Sequence, residues 1–290
     1  MGSCMPLLIF SNMRKLIPLC GTKVFFMTEN SAAPSGTRTL IHGIMVIRAV
    51  AGGAATLREV VEATGLSRST AHRLIQALRV ERFLREDNEG RLQLGPSLIE
   101  LGFKALDSVS LQTVAHPILL DLARQAKDTV HLAVEDSGMA LYLDKIHGSR
   151  GIEIRSWLGC RMPLTYTGIG KALLIDTPDR WRSQFIQDRN LTGRDPEHDY
   201  ADESAFYAAM EKFAKQGFAY DLEENEPGIR CVSAPVRDGR GKTVAAISVS
   251  GASQFMPPKR MKALGPLVMD AASRISAELG YHTAENEEKE

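Results

Sequence analysis

Residues 56–78 read TLREVVEATGLSRSTAHRLIQAL, and the way this stretch divides decides the fold of the first half of the chain. Thr56 followed by Glu59 is the signature of a capping box, and Leu57, Val60, Val61 and Ala63 give the helix it opens an apolar face. Thr64-Gly65-Leu66 stops that helix. Ser67 is an N-cap residue for the next one, in which Ala71, Leu74, Ile75 and Leu78 recur at helical spacing and leave Arg68, Ser69, Thr70, His72, Arg73 and Gln76 toward solvent. Two short helices around a glycine-containing turn form a helix-turn-helix. Upstream, Leu40, Ile41, Ile44, Met45, Ile47 and Val50 predict a preceding helix over 39–51, closed by Gly52-Gly53. Downstream, Phe83 to Glu86 and Arg91 to Leu94 flank the turn residues Asp87-Asn88-Glu89-Gly90, which predicts a two-stranded wing.

The chemistry of these residues points to a duplex. A helix fits the major groove, and arginine or small hydroxyl side chains on its first turn reach bases and phosphates. Arg68, Arg73, Arg79, Arg82, Arg85 and Arg91 are opposed mainly by Glu81, Glu86, Asp87 and Glu89, so this module carries a positive face. The sequence therefore assigns Ser67, Arg68, Ser69, Thr70, His72 and Arg73 to DNA, with Arg91 as a wing contact to phosphate. The competing reading is a three-helix packing module with a solvated basic face.

The whole chain sets bounds on that picture. It has 290 residues, enough for two domains of ordinary size. With 44% hydrophobic and 24% charged residues it matches globular proteins, which excludes collagen-like, coiled-coil and wholly disordered classes. The formal net charge is zero, so nucleic acid must be held by a local patch and not by the field of the whole molecule. Cys4, Cys20, Cys160 and Cys231 are scattered, against both a disulfide framework and a tetrathiolate site, and the chain reads as cytoplasmic. No apolar run approaches the roughly 20 residues of a membrane helix. Residues 1–36 are expected to be a disordered leader: no secretory signal is legible, and 1–26 precede Met27, which begins a polar segment.

Beyond the wing, Pro96 to Ala105 predicts a helix linking the modules, and Leu111 to Ala126 another. The period then changes. Thr129–Glu135, Ala140–Ile146 and Ile152–Trp157 read as strands, followed by helices over Gly170–Ile175 and Glu203–Gln216, strands near Cys231–Val236 and Val244–Ser250, and a closing helix from Lys259 to Leu279. Residues 282–290 are an acidic tail, expected to be solvated. The expected class is α+β, an antiparallel sheet flanked by helices and attached to a DNA reader. Thr167-Gly168-Ile169-Gly170 opens one helix, where free backbone N–H groups attract a carboxylate and glycines let it come close.

From about Thr37 to Gly280 the sequence resembles the isocitrate-lyase-regulator (IclR) family of bacterial transcription factors. The resemblance rests on Thr64-Gly65-Leu66-Ser67-Arg68-Ser69-Thr70-Ala71-His72-Arg73-Leu74, Leu94-Gly95-Pro96, Leu158-Gly159-Cys160-Arg161-Met162-Pro163-Leu164, Gly168-Ile169-Gly170-Lys171-Ala172-Leu173-Leu174 and Gly228-Ile229-Arg230-Cys231. It implies a winged helix-turn-helix over 37–95, a linker helix over 96–109, and a GAF-like effector-binding and oligomerisation domain over 110–281; the Pro96 to Ala105 helix is the expected transmitter of a signal between them. It also implies an effector pocket in which Gly168 and Ile169 hold the carboxylate, Asp221, Cys231, Ser248 and Ser250 supply polar contacts, and Ile154, Met162 and Ile229 form the apolar wall. Ile169 and Met162 are bulky for such a pocket. Taken singly these residues have plainer uses: a buried cysteine, serines bonding nearby backbone, an aspartate capping the turn before Pro227-Gly228.

Other chemistries find less support. Leu173 stands where a dinucleotide fingerprint needs its third glycine, and Ala172 where a phosphate loop needs Ser or Thr. Glu223 and Glu224 are adjacent, and no nucleophile elbow or H-E-x-x-H helix accompanies them. His42, His72, His116, His131, His147, His198 and His282 show no metal-ligand spacing. The expectation is a regulator with no catalytic residues, no metal and no cofactor, most simply a repressor of a catabolic operon. It binds operator DNA as a homodimer or homotetramer and answers to a sugar acid, keto acid or aromatic acid. The alternative is a metabolite-binding enzyme whose basic module serves protein contacts.

Overall fold

The computed structural model describes residues 37–108, 110–150, 154–192 and 203–281. The expectations for the leader and the acidic tail, and for Ile152 as a strand residue, fall outside them. The chain divides into two units, with the boundary between Ala105 and Leu106.

In the first unit, α1 (Arg38–Ala51), α2 (Leu57–Thr64) and α3 (Arg68–Val80) pack around Val46, Val50, Val60, Ala71 and Ile75. The capping box at the start of α2 is complete: Thr56 accepts from the Glu59 N–H, and the Glu59 carboxylate accepts from the Thr56 N–H at 3.0 Å. Gly65 ends α2 in the left-handed region at φ 69°, and Ser67 caps α3. The wing is the hairpin β1 (Leu84–Glu86) and β2 (Leu92–Leu94), whose Leu84 and Leu92 enter the same core. Its turn is held by Asp87 Oδ1, which accepts from the N–H groups of Glu89 at 3.0 Å and Arg91 at 2.9 Å. Then α4 (Pro96–Ser108) begins. The inward faces are narrower than the periodicity implies: Leu57, Val61, Ala63, Leu74 and Leu78 are only half-buried, and Leu40, Ile41 and Ile44 on α1 and Ile99, Leu101 and Phe103 on α4 are exposed.

The second unit is built on one six-stranded antiparallel sheet in the order β5-β4-β3-β8-β7-β6. Its strands are β3 (Thr129–Asp136), β4 (Met139–Ile146), β5 (Arg161–Pro163), β6 (Ala219–Leu222), β7 (Ile229–Arg237) and β8 (Thr243–Ala252). Helices α5 (Leu111–Ala126) and α9 (Pro258–Glu278) cover one face, closing a core that contains Leu119, Val130, Leu132, Ile247, Val249 and Val268. On the other face α6 (Gly168–Leu174), α7 (Trp181–Thr192) and α8 (Glu203–Gln216) close a second core around Ile169, Leu174, Phe185, Phe206 and Met210. The sheet is thus buried on both sides. The expected strand over Ile152–Trp157 is corrected: residues 154–157 are irregular, and the strand of this region is β5. The Lys145 ammonium donates to the carbonyls of Ile154 at 2.9 Å and Ser156 at 2.7 Å, so a side chain supplies the pairing that a neighbouring strand would give.

Candidate DNA interface and effector site

In the first unit, Ser67, Arg68, Ser69, His72 and Arg73 are exposed on or just before α3, Thr70 is half-buried there, and Arg91 is exposed on the wing turn. The cationic side chains of this set are available: Arg68, Arg73 and Arg91 form no ion pair among the described residues. The hydroxyls are more committed than their residue types imply. Ser67 Oγ accepts from the Thr70 N–H at 3.2 Å and lies 3.1 Å from Ser69 Oγ and 2.8 Å from Thr70 Oγ1, so it serves first as the helix cap. Arg79 pairs with Glu86 at 2.8 Å and ties α3 to the wing. Beside that pair, an open hollow of about 540 Å³ is lined by Gln76, Arg79, Arg82 and Arg85 together with Glu86 and Pro96. One edge of this unit is therefore a set of guanidinium groups on a rigid helix and hairpin, suited to an anionic backbone.

In the second unit the sheet and α6 enclose a small polar cavity. All nine residues that the resemblance assigns to an effector line it: Ile154, Met162, Gly168, Ile169, Asp221, Ile229, Cys231, Ser248 and Ser250. Register explains much of this. Cys231 on β7 is opposite both Asp221 on β6 and Ser250 on β8, and Ser248 on β8 is opposite His131 on β3. Side chains two apart on one strand share a face, so four neighbouring strands aim polar groups at one spot.

Thr167 sets the floor. Its hydroxyl accepts from the Gly170 N–H at 3.0 Å, so α6 begins at Gly168, two residues earlier than the sequence implies. The glycines here are required by space: a Cβ on Gly170 would lie 2.3 Å from the Leu164 carbonyl oxygen, and one on Gly168 would lie 2.8 Å from Ser233 Oγ. Asp188 on α7 anchors the approach to α6 by accepting from the Thr165 N–H and hydroxyl, both at 2.8 Å.

The residues that sequence reading did not assign are His131, Tyr142, Arg155, Ser156, Thr167, Asn225 and Glu226. His131 is buried, with Nε2 2.9 Å from Ser156 Oγ and Nδ1 3.4 Å from the hydroxyls of both Ser248 and Ser250. Burial, helped by the neighbouring Lys145 and His147, pushes its pKa down to about 3, so the imidazole is neutral and offers one donor and one acceptor. Tyr142 stands edge-on to it, ring centroids 5.1 Å apart, with its hydroxyl pKa raised by burial. Alternation along β3 puts His131 on the face opposite Val130 and Leu132, and the pairing of β3 with β8 brings it to the cavity.

Below the cavity sits a buried charge cluster. The fully buried Lys171 ammonium donates to Glu224 at 2.9 Å. Asp221, 2% exposed, accepts from the Glu224 N–H at 2.9 Å and hydrogen-bonds the Glu224 carboxyl. The turn-capping use of Asp221 is thus present together with its place in the cavity wall. The cavity is tight, about 30 Å³, room for one or two waters. Anything larger must displace half-buried lining such as Met162 and Ile229.

A family model described as "Bacterial transcriptional regulator IclR C-terminal" matches residues 103–277. The chain belongs to the IclR family. The "IclR helix-turn-helix domain" matches residues 39–88, the part that contains α1 to α3 and the start of the wing. Among curated relatives, the Escherichia coli HTH-type transcriptional regulator KdgR is 30% identical over 78% of this chain and 86% of its own length. The E. coli transcriptional repressor IclR is 27% identical over 86% of this chain and 92% of its own. The crystal structure of Pseudomonas aeruginosa HmgR has the same fold, with TM-score 0.72 over 85% of this chain and all of that one at 24% identity. As an IclR-family member the chain is a ligand-responsive, DNA-binding regulator of transcription.

Proposed function

We propose that this regulator grips a pseudo-palindromic operator through α3 and the wing, and releases or tightens that grip when a small carboxylate occupies the cavity beside α6. The observation that carries the effector half is the convergence of all nine resemblance-derived positions, from five strands and loops and one helix, on a single polar cavity. The DNA half is supported by Ser67, Arg68, Ser69, Thr70, His72 and Arg73 around the start of α3, with Arg91 on the wing. Gly168 and Ile169 receive the carboxylate; Asp221, Cys231, Ser248 and Ser250 position the rest of the acid. The tight cavity favours acids of a few carbons over aromatic ones, since less lining must move. Repression is the favoured sign, because the relative named IclR is a transcriptional repressor. Among the described residues no helix is long and apolar enough to cross a membrane, in keeping with work in the cytoplasm.

Two-fold assembly is part of the proposal. One recognition helix reads few base pairs, so two half-sites are needed for useful specificity. Leu40, 67% exposed on α1, and Phe103, 59% exposed on α4, leave apolar surface that a second copy would cover. The test has two arms. A thermal-shift screen of sugar, keto and aromatic acids should raise the melting temperature selectively for one class, and that acid should alter retention of operator DNA in a gel shift at fixed salt. An acid that binds without changing DNA affinity refutes the coupling. The enzyme alternative predicts instead no salt-steep retention on random duplex or heparin.

A further inference from the structure

We propose that His131 Nδ1 and the hydroxyls of Ser248 and Ser250 form a seat for one hydroxyl group of the effector, which makes the effector a 2-hydroxy acid and His131 the residue that selects it. This rests on the reading that the cavity is the effector site, with the carboxylate at Gly168 and Ile169.

The three atoms form a triangle. Nδ1 lies 3.4 Å from each serine Oγ, and the two Oγ atoms are 3.4 Å apart. All three residues are at most 3% exposed, and all three line the cavity. Each side is longer than an ordinary hydrogen bond of about 2.7 to 3.2 Å, so the corners hold one another weakly. An oxygen about 2 Å out of the plane of the triangle would lie about 2.8 Å from all three corners, a good length for each bond.

The histidine corner is fixed from behind. His131 is opposite Lys145 on β4 and Ser248 on β8. Its Nε2 is 2.9 Å from Ser156 Oγ, and the Lys145 ammonium holds Ser156 in place through its carbonyl at 2.7 Å. Tyr142 stands edge-on to the ring. With Nε2 turned to Ser156, Nδ1 is left facing the serines.

The chemistry of the seat suits a hydroxyl. Burial keeps the imidazole neutral, so the three corners bear no formal charge and offer a carboxylate no counter-ion. A hydroxyl donates once and accepts twice, three bonds for three corners. If Nδ1 carries the imidazole proton, the ligand accepts from it and from one serine and donates to the other. If Nδ1 is bare, the ligand donates to it and accepts from both. A carbonyl oxygen has two lone pairs for three corners, and a bare Nδ1 repels it. Ser250 also hydrogen-bonds the Cys231 thiol. When it donates there, its oxygen faces the seat as an acceptor, which a ligand hydroxyl can meet and a ligand carbonyl cannot. Thr167 is no rival, since its hydroxyl accepts from the Gly170 N–H and donates to the Pro163 carbonyl, both at 3.0 Å.

The framework also sets where the hydroxyl stands on the acid. Cys231 is opposite Ser250, and its Cβ lies 3.2 Å from where a Gly168 Cβ would stand, so the seat is one strand spacing, about 4.8 Å, from Gly168. That short span places the hydroxyl on the carbon next to the carboxylate.

Calorimetry on the full-length protein with propionate, pyruvate, L-lactate and D-lactate compares no oxygen, a carbonyl and a hydroxyl of either hand on one three-carbon acid. One lactate should bind roughly tenfold tighter than propionate and pyruvate. The other lactate should bind less tightly than the first, because a carboxylate and a hydroxyl fixed together leave one place for the methyl. His131→Phe and Ser250→Ala should each bring the lactate-to-propionate ratio close to one; Ser250→Ala, the smaller change, decides the matter if His131→Phe does not fold. Pyruvate binding as tightly as the better lactate, equal affinities of the two lactates, or a lactate preference that survives in either folded variant overturns the seat. Failure of all four acids to bind overturns the effector-site reading on which it stands.

Discussion

Acidification should unfold the second unit through His131, and the size of the effect follows from its surroundings. The imidazole is buried beneath Ser248 and Ser250, and its pKa falls from an ordinary value near 6.5 to about 3. A group whose folded pKa is depressed contributes full stability above the unfolded value and loses it as pH falls toward the folded one, because the unfolded chain takes up a proton that the native site refuses. At about 1.4 kcal/mol per pH unit, going from pH 6.5 to 5 costs about 2 kcal/mol, and the limit near pH 3 is about 5 kcal/mol. Asp221 works in the opposite sense. Its raised pKa means that stability falls as pH rises from the ordinary carboxylate range through its folded value, so the raw profile mixes both groups. The informative quantity is the difference between wild type and His131→Gln, measured by urea unfolding at pH 7 and pH 5. Tryptophan fluorescence is the suitable probe, since Trp157 and Trp181 are the only tryptophans and both belong to the second unit. Wild type should lose about 2 kcal/mol more than the variant between those pH values. Equal losses, within about 0.5 kcal/mol, would refute the assignment of a neutral buried imidazole.

Three further outcomes are expected. Arg73→Ala should weaken operator binding and lower the slope of log affinity against log salt by about 0.9 if the guanidinium neutralises a phosphate; a gel-shift series over salt checks it, and effector binding should be unaffected. Gly170→Ala places a methyl 2.3 Å from the Leu164 carbonyl oxygen, so it should cost at least about 2 kcal/mol in urea unfolding or prevent folding, whereas Gly43→Ala, which meets nothing within 4 Å, should not destabilise. Ser233→Ala removes a buried hydroxyl that has no hydrogen-bond partner among the described residues, and should raise stability by up to about 1 kcal/mol, readable by differential scanning calorimetry.

The amino-terminal unit was almost fully legible because its signals are local. Thr56, Glu59, Gly65 and Ser67 act within one turn of where they stand, and each does in the structure what its side chain can do. The second unit was less so. Helix α7 escaped notice because two of its four buried positions are polar, Gln184 and Asp188, which are satisfied by each other at 2.8 Å and by Thr165. A hydrophobic period cannot show a helix that buries amides and carboxylates. Strand β6 is four residues with buried Asp221 in the middle, an edge whose polar content reads as loop. The apolar alternation of residues 152–157 misled in the other direction, since Lys145 rather than a neighbouring strand takes the carbonyls of Ile154 and Ser156. In the cavity, the family resemblance named positions on β6, β7 and β8, but His131 depended on knowing that β3 pairs with β8, a long-range fact no window of sequence contains.

The alternation along the two central strands gives the sheet the character of a diaphragm. On β3, His131 faces the cavity while Val130 and Leu132 press into the core beneath α5 and α9; on β8, Ser248 and Ser250 face the cavity while Ile247 and Val249 press the other way. A molecule larger than the closed chamber displaces lining such as Met162 and Ile229, and the rest of the wall it meets is β3 and β8, strands whose reverse side carries the first helix of this unit.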